Sequence, residues 1–417
     1  MSDIQQDHNL GPLNGVRVLD LTTVQMGPLA TAILADLGAD VIKIEAPEGD
    51  VSRQSFPARS PRMGHSFLAI NRNKRSIALD LKQPEGKSAL LALAKSADVL
   101  VFNVRPQAMA RLKLSYEDVK AVNPQIVYVG ALGFSQRGRY GGRPAFDTVI
   151  QGMAGLPWMA AHASGHEPRY APHSFADQSS ALHVVIAVLA GLYHRKATGM
   201  GQEVNVPMFE SLVHVLLGEH LAGEMFVPPL GTAGYARQLS RDRRPYRTKD
   251  GYICPFLYSD KHWRIFFKMI GKTEQFESDP RFSSHGNRTK NMDVVYAFLS
   301  DTLQARTTAE WMRLFDEYDL PIGRMNSLED VLRDPHLADI HYFGTVEHPT
   351  EGTLRATCYP TEFSKTPVSN RRPAPRLGED TVELLREAGY SQSRIDEMVA
   401  KGVAISPSNV RTKSAMS

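Results

Sequence analysis

VRVLDLTTVQMGPLATAILADLGADVIKIE, residues 16–45, decides the fold. Its first six residues, Val16–Leu21, form a short apolar run of strand character, and the turn TTVQMG follows. Pro28 opens a helix through LATAILADL, because the N–H that proline lacks would be unbonded in a first helical turn anyway. Gly38 closes that helix, and Val41–Glu45 is a second strand. Two strands joined by one helix predict parallel pairing with a right-handed crossover.

Working outward, the alternation repeats. Ser76–Leu81, a helix from Pro84 to about Ala97, Val99–Phe102, the polar helix SYEDVKAVNP and Ile126–Val129 continue it, so the class is α/β. In such sheets ligands bind beyond the carboxyl ends of the strands. That puts Val24–Gly27 and Asn103–Pro106 at the mouth of a site. No GxGxxG fingerprint follows the first strand, which argues against a nicotinamide-dependent oxidoreductase. A glycine-rich basic loop at 130–144 precedes a helix near Asp147–Met153, and a second helix runs from about Gln178 to Lys196. The stretch VPPLGTAGYARQLSRDRRPYR (227–247) is dense in Pro, Gly and Arg and marks a domain boundary. Beyond it lie a strand candidate, DGYICPFL, and helices around Lys261–Ile270, Met292–Leu303 and Thr308–Tyr318. The tail returns to the first type of domain with LGEDTVELLREAG and SQSRIDEMVAKG.

At 417 residues the chain is too long for one ordinary core, so two domains are expected. Lys and Arg total 48 against 45 Asp and Glu, an excess too small for a sequence-independent nucleic-acid binder. Cys254 and Cys358 stand far apart, outside any metal or CxxC spacing, and point to a reducing compartment. The amino terminus has no secretory pattern, and the longest apolar run, Val184–Leu192, is short for a bilayer; a cytoplasmic protein without a membrane partner is expected.

Several residues invite a chemical reading. Asp177 lies at the head of a long apolar helix, where it is a good N-cap and where the helix dipole favours the carboxylate over the acid. That would keep its oxygen nucleophilic at neutral pH; a purely structural cap is the competing account. Gln25 follows the first strand and offers an amide to a bound carbonyl or diphosphate. Arg72, Lys74, Arg75 and Lys82 surround one strand, and Arg105 and Arg111 flank PQAMA; each set either holds phosphates or is a solvated face. His162 and His166 sit in HASGHEP, read as a loop, and no metal site is expected. There is no GxSxG elbow.

In order along the chain, GVRVLDLTTVQMGPLATAILADLGADVIKIEAPEGD, NRNKRSIALDLKQPEGK, ADVLVFNVRPQAMARLKLSYEDVKAVNPQIVYVGALGFSQRGRYGGRPAFD, FADQSSALHVVIAVLAGLYHRKATGMGQEVNVPMFESL and the late blocks YRTKDGYI, LPIGRMNSLEDVLRDPHL and RPAPRLGEDTVELLREAGY resemble the class III (CaiB/BaiF) CoA-transferase family. The resemblance implies a Rossmann-like large domain built from 1–225 and 331–417, a smaller α+β domain at 226–330, and an interlocked homodimer. It implies transfer of CoA from an acyl-CoA to a small carboxylic acid, with CoA entering as substrate and no cofactor permanently bound. The acylated aspartate falls on Asp177. CoA contacts fall on Gln25, Met26, Leu79 to Lys82, Asn103, Val104, Arg105, Arg111 and Pro144 to Asp147, including Phe146. Ala46 stands where some members carry a basic residue, and only Gly231 and Gly234 occupy the region of a glycine lid. Two rivals remain: a 2-methylacyl-CoA racemase, whose motif needs His before Asp where this chain has Phe146–Asp147, and a non-catalytic acyl-CoA-binding protein.

Overall fold

Five strands rich in Val, Ile and Leu and mostly buried can hide both faces only inside a parallel sheet covered by helices. The computed structural model, which describes residues 11–407, shows that sheet. The strands are β1 (Arg17–Leu21), β2 (Asp40–Glu45), β3 (Lys74–Leu79), β4 (Val99–Phe102), β5 (Val127–Leu132) and β6 (Gln202–Pro207), in the order β3-β2-β1-β4-β5-β6. All five pairings among them are parallel, with Val18 beside Val41 on one side and Val99 on the other. A short strand, Ala404–Ile405, adds antiparallel to the outer edge of β3. This is the strand order of doubly wound dinucleotide folds, here without the glycine fingerprint.

Helix α1 (Met26–Asp36) follows β1 so tightly that a Cβ on Gly27 would lie 2.4 Å from the Thr22 side chain. It starts two residues before the expected Pro28, and Gly38 ends its trailing turn at φ +106°. The 24-residue helix Phe175–Thr198 packs against α1, β5 and β6. Val184, Val185 and Val188 face inward, and a Cβ on Gly191 would come within 2.5 Å of Val127, so the helix rests almost directly on β5. By length and composition this helix is apolar enough to cross a membrane, yet its apolar residues on one side are buried against the sheet. On its other side Leu182, Ile186, Leu189 and Tyr193 repeat at helical spacing and stand exposed.

Contacts divide the chain into two units. One holds residues up to Ile150, Ser174–Val215 and the chain from Ala338 on; the other holds Gln151–His173 and Leu216–Leu337. The first unit buries Leu19, Ile42, Ile77 and Leu100 completely, together with Leu384 and Ile395 from the tail helices. The second is built on aromatic packing: Trp263, Phe266, Phe267, Phe282, Trp311 and Phe315 form its core. Several of its helices are capped as their sequences direct, with Thr307 and Glu310 forming a capping box ahead of Thr308–Glu317.

The differences from the sequence reading have local causes. DGYICPFL yields only two paired residues, Tyr252–Ile253, because Pro255 ends the ladder soon after the turn. β6 and the hairpin Phe343–His348 with Gly352–Thr357 have no counterpart in that reading; both mix polar and apolar residues as edge strands do. HASGHEP is not wholly loop: His162 lies in the helix Leu156–Ser164, stacked on Trp158, and His166 follows the Gly165 cap.

Candidate active site

The carboxyl ends of β1, β4, β5 and β6 converge on a cavity of about 310 Å³. Gln25, Met26, Asn103, Arg105, Phe146 and Asp177 line it, so six of the residues singled out in the sequence meet at one place. Gly133, Phe134 and Met208 complete its floor, and Arg143 joins Arg105 as a second cation. Arg143 stacks on Tyr140 at 4.8 Å. Arg143 lies outside the residues singled out in the sequence; its signal is the basic, glycine-rich loop that carries it.

Other expected contacts sit elsewhere. Leu79 is wholly buried in the sheet core, so its side chain presents no surface to a ligand. Val104 packs on that core, while Lys82 and Arg111 are exposed outside the cavity wall. Asn103 is engaged with the protein itself: its side chain accepts from Thr23 N–H at 3.0 Å and donates to Thr23 O at 2.8 Å.

Asp177 is not the N-cap. Ser174 holds that position without making a side-chain cap bond, and Asp177 is the third residue of the first turn. The cap comes from outside the helix: Asp147 Oδ1 accepts from Ala176 N–H at 2.8 Å and Asp177 N–H at 3.2 Å. This changes the electrostatics. Burial first, and then the neighbouring charge of Asp147, push the Asp177 pKa up to about 7, against only a Met26 backbone N–H that favours the anion. The expectation of a dipole-lowered carboxylate is therefore overturned, because the dipole is small beside desolvation plus a like charge.

Beneath the β1–α1 turn lies a buried ionic network. Asp20 accepts from Thr22, Thr31 and, at 2.9 Å, Lys74 Nζ. Lys43 Nζ lies 3.0 Å from Asp50 Oδ2 and donates to Thr22 O at 2.9 Å, while Glu45 pairs with Arg53 at 2.7 Å. Burial pushes Lys74 down to about 8, only partly offset by Asp20. For Lys43 burial acts the same way, but Asp20, Asp50 and Glu45 outweigh it and hold the ammonium above its usual range. Breaking such a pair by removing one partner costs roughly 3–5 kcal/mol. Lys74 reads in the sequence as a phosphate-binding candidate; the fold buries it completely in this network.

A parallel doubly wound sheet, a carboxylate of raised pKa at its carboxyl edge and an amide-rich turn facing it describe an α/β enzyme that works on a ligand laid across the strand ends. The sequence profile of CoA-transferase family III matches residues 13–381, and the chain belongs to that family. It is 30% identical to human succinyl-CoA:glutarate CoA-transferase, covering 95% of this chain and 90% of that protein. It is 29% identical to the formyl-CoA:oxalate CoA-transferase of Afipia carboxidovorans, over 94% and 97%. The crystal structure of Rv3272 from Mycobacterium tuberculosis superposes with TM-score 0.75 at 30% identity, covering 89% of this chain and 99% of that one. A CaiB/BaiF family protein from Brucella suis gives TM-score 0.74 at 27% identity, over 91% and 100%. The chain is an enzyme of the CoA-transferase type acting on acyl-CoA.

Proposed function

We propose that the protein transfers CoA from an acyl-CoA to a small carboxylic acid through covalent catalysis at Asp177. One observation carries this reading: a single carboxylate of raised pKa, half-buried, faces Gln25 and Met26 in the cavity at the strand ends. The Asp177 oxygen attacks the thioester carbonyl, the C–S bond breaks, and CoA leaves as thiolate from an aspartyl–acyl anhydride. The thiolate then attacks the aspartyl carbonyl and releases the donor acid as carboxylate, leaving aspartyl-CoA. The acceptor carboxylate reverses both steps. One negative charge passes from carboxylate to thiolate to carboxylate, so no step consumes a proton and no general base is required. A basic carboxylate is the stronger nucleophile, and a pKa near 7 leaves about half of it ionised at neutral pH. The Gln25 side-chain amide and the Met26 N–H, which already meets Asp177, are the donors for the tetrahedral oxyanions.

Gln25, Met26, Phe146 and Arg105 would take the CoA moiety along the cavity wall, with Arg143 as a further cation. Small dicarboxylic acids are the acceptors to try first, since the relatives named above act on glutarate and oxalate and the guanidiniums of Arg105 and Arg143 line this cavity. The exposed stripe Leu182, Ile186, Leu189 and Tyr193 suits burial against a second copy in a homodimer. With two exposed free thiols, a reducing cytoplasmic setting fits.

The test is covalent trapping. Succinyl-CoA, formyl-CoA and acetyl-CoA are each incubated with the protein and quenched with hydroxylamine or borohydride, and peptide mass spectrometry is run on wild type and D177A. A modification at Asp177 that D177A lacks supports the reading. Exchange of the α-proton without any adduct supports the racemase instead, although Phe146 offers no base on the second face. CoA binding with neither signal makes it a binding protein.

A further inference from the structure

The turn that faces Asp177 does not rest in a relaxed conformation. Val24 has φ +72°, a left-handed geometry that a β-branched residue adopts only when its surroundings impose it. Three consecutive residues show what imposes it. Thr22 O accepts from Lys43 Nζ at 2.9 Å, Thr23 is held at both backbone polar atoms by Asn103, and Val24 N–H donates to Asp50 Oδ1 at 3.2 Å. Lys43 and Asp50 are themselves joined at 3.0 Å, with side chains fully out of solvent. The next two residues, Gln25 and Met26, then reach the cavity wall that Asp177 shares.

We propose that the buried Lys43–Asp50 pair is a positioning device for the transfer step: it holds Thr22 to Val24 in their strained form so that Gln25 and Met26 present their polar groups to the reacting centre. The inference rests on the reading of Asp177 as the acyl acceptor. The pair touches no substrate and acts through the turn. Its chemistry suits the task, because a carboxylate accepts on both oxygens. Asp50 Oδ1 takes the N–H groups of Val24 and Ser52 and the Ser52 hydroxyl, while Oδ2 faces the ammonium. An amide of the same shape must turn a donor toward one side or the other.

The experiment compares full-length wild type, D50N, K43M and the double variant D50N/V24G, with folding checked by circular dichroism. The readouts are the single-turnover rate of Asp177 acylation by saturating succinyl-CoA and amide hydrogen exchange at residues 22–26. D50N and K43M are expected to slow acylation by about tenfold to a hundredfold, since a displacement near 1 Å in a catalytic site costs on that order. Both should speed exchange in the turn. Glycine adopts positive φ freely, so V24G should return at least part of the rate lost in D50N. A pair that merely stabilised the fold would gain nothing from that second change. The proposal is overturned if D50N and K43M acylate and exchange like wild type, or if the rate lost in D50N is the same with and without the added V24G. Should D50N be unfolded, K43M alone decides by the same two readouts, because it leaves Asp50 in place and removes only the hold on Thr22. Absence of any adduct in wild type sinks the reading of Asp177, while exchange at 22–26 still decides whether the pair holds the turn.

Discussion

Replacing Asp177 by asparagine should make the protein inactive and, above neutral pH, more stable. The carboxyl titrates near 3.8 in an unfolded chain and near 7 in the folded one. The native state therefore holds this proton more tightly, and unfolding becomes easier as pH rises from about 4 to about 7. Below that window the acid is neutral in both states and the penalty vanishes; above it the penalty is complete. Roughly three pH units at about 1.4 kcal/mol each set a ceiling near 4 kcal/mol, and the partial solvent access of the site reduces it to about 2–4 kcal/mol. Asparagine has nearly the same shape, keeps an acceptor for the Met26 N–H and carries no charge to desolvate or to oppose Asp147. Urea unfolding of wild type and D177N at pH 4.5 and pH 8.5, each without ligand, measures the difference directly. The gap between the two proteins should be small at the acid pH, where only about a quarter of the penalty has developed, and wide at the alkaline one, with D177N the more resistant. Equal midpoints at pH 8.5, or a more stable wild type, would refute the argument that burial and Asp147 oppose the nucleophilic form.

Because attack requires the anion, the acid limb of kcat/KM should bend near pH 7 with unit slope, which a pH–rate profile checks. D147N keeps an acceptor oxygen for Ala176 and Asp177 while removing the like charge, so that limb should move to lower pH; a limb that stays in place contradicts the role given to Asp147. G191A should lose about 1–3 kcal/mol in urea melts despite alanine's better helix propensity, because the new methyl lands 2.5 Å from Val127. I186E places a charge in the exposed stripe of the helix Phe175–Thr198 and should leave monomers in sedimentation runs if that stripe is a dimer contact.

Much of the large unit was legible because its central parallel strands are buried on both faces and write short, mostly apolar runs. Val99–Phe102 is the strand expected, and Asp147–Met153 and Met292–Leu303 are the helices expected. β6 escaped because QEVNVP is an edge strand whose exposed polar positions read as loop. Asp177 was visible through its place before an apolar helix and through the family resemblance. Its protonation was not, since the opposing charge sits on Asp147, which only folding brings beside it. The clamp on the β1–α1 turn was equally hidden: Lys43 reads as one polar residue inside a strand, and nothing in VIKIE tells that its ammonium reaches back to Thr22.

The edge of β3 is finished by residues that come very late in the chain. Ser76 N–H donates to Asp380, 304 positions away, Ala78 N–H reaches Thr381, and Ala404 and Ile405 pair with Leu79 and Ala78. A ribosome making this protein from its amino end thus exposes β3 with an open ladder until about three hundred further residues, through Ile405, have been made. Hydrophobic strands with unpaired edges are templates for the wrong neighbour. Nascent chains stalled before the codons for Asp380 would be open to chaperones and proteases, and premature stop codons between those for Asp380 and Ala404 would yield aggregates rather than a trimmed enzyme.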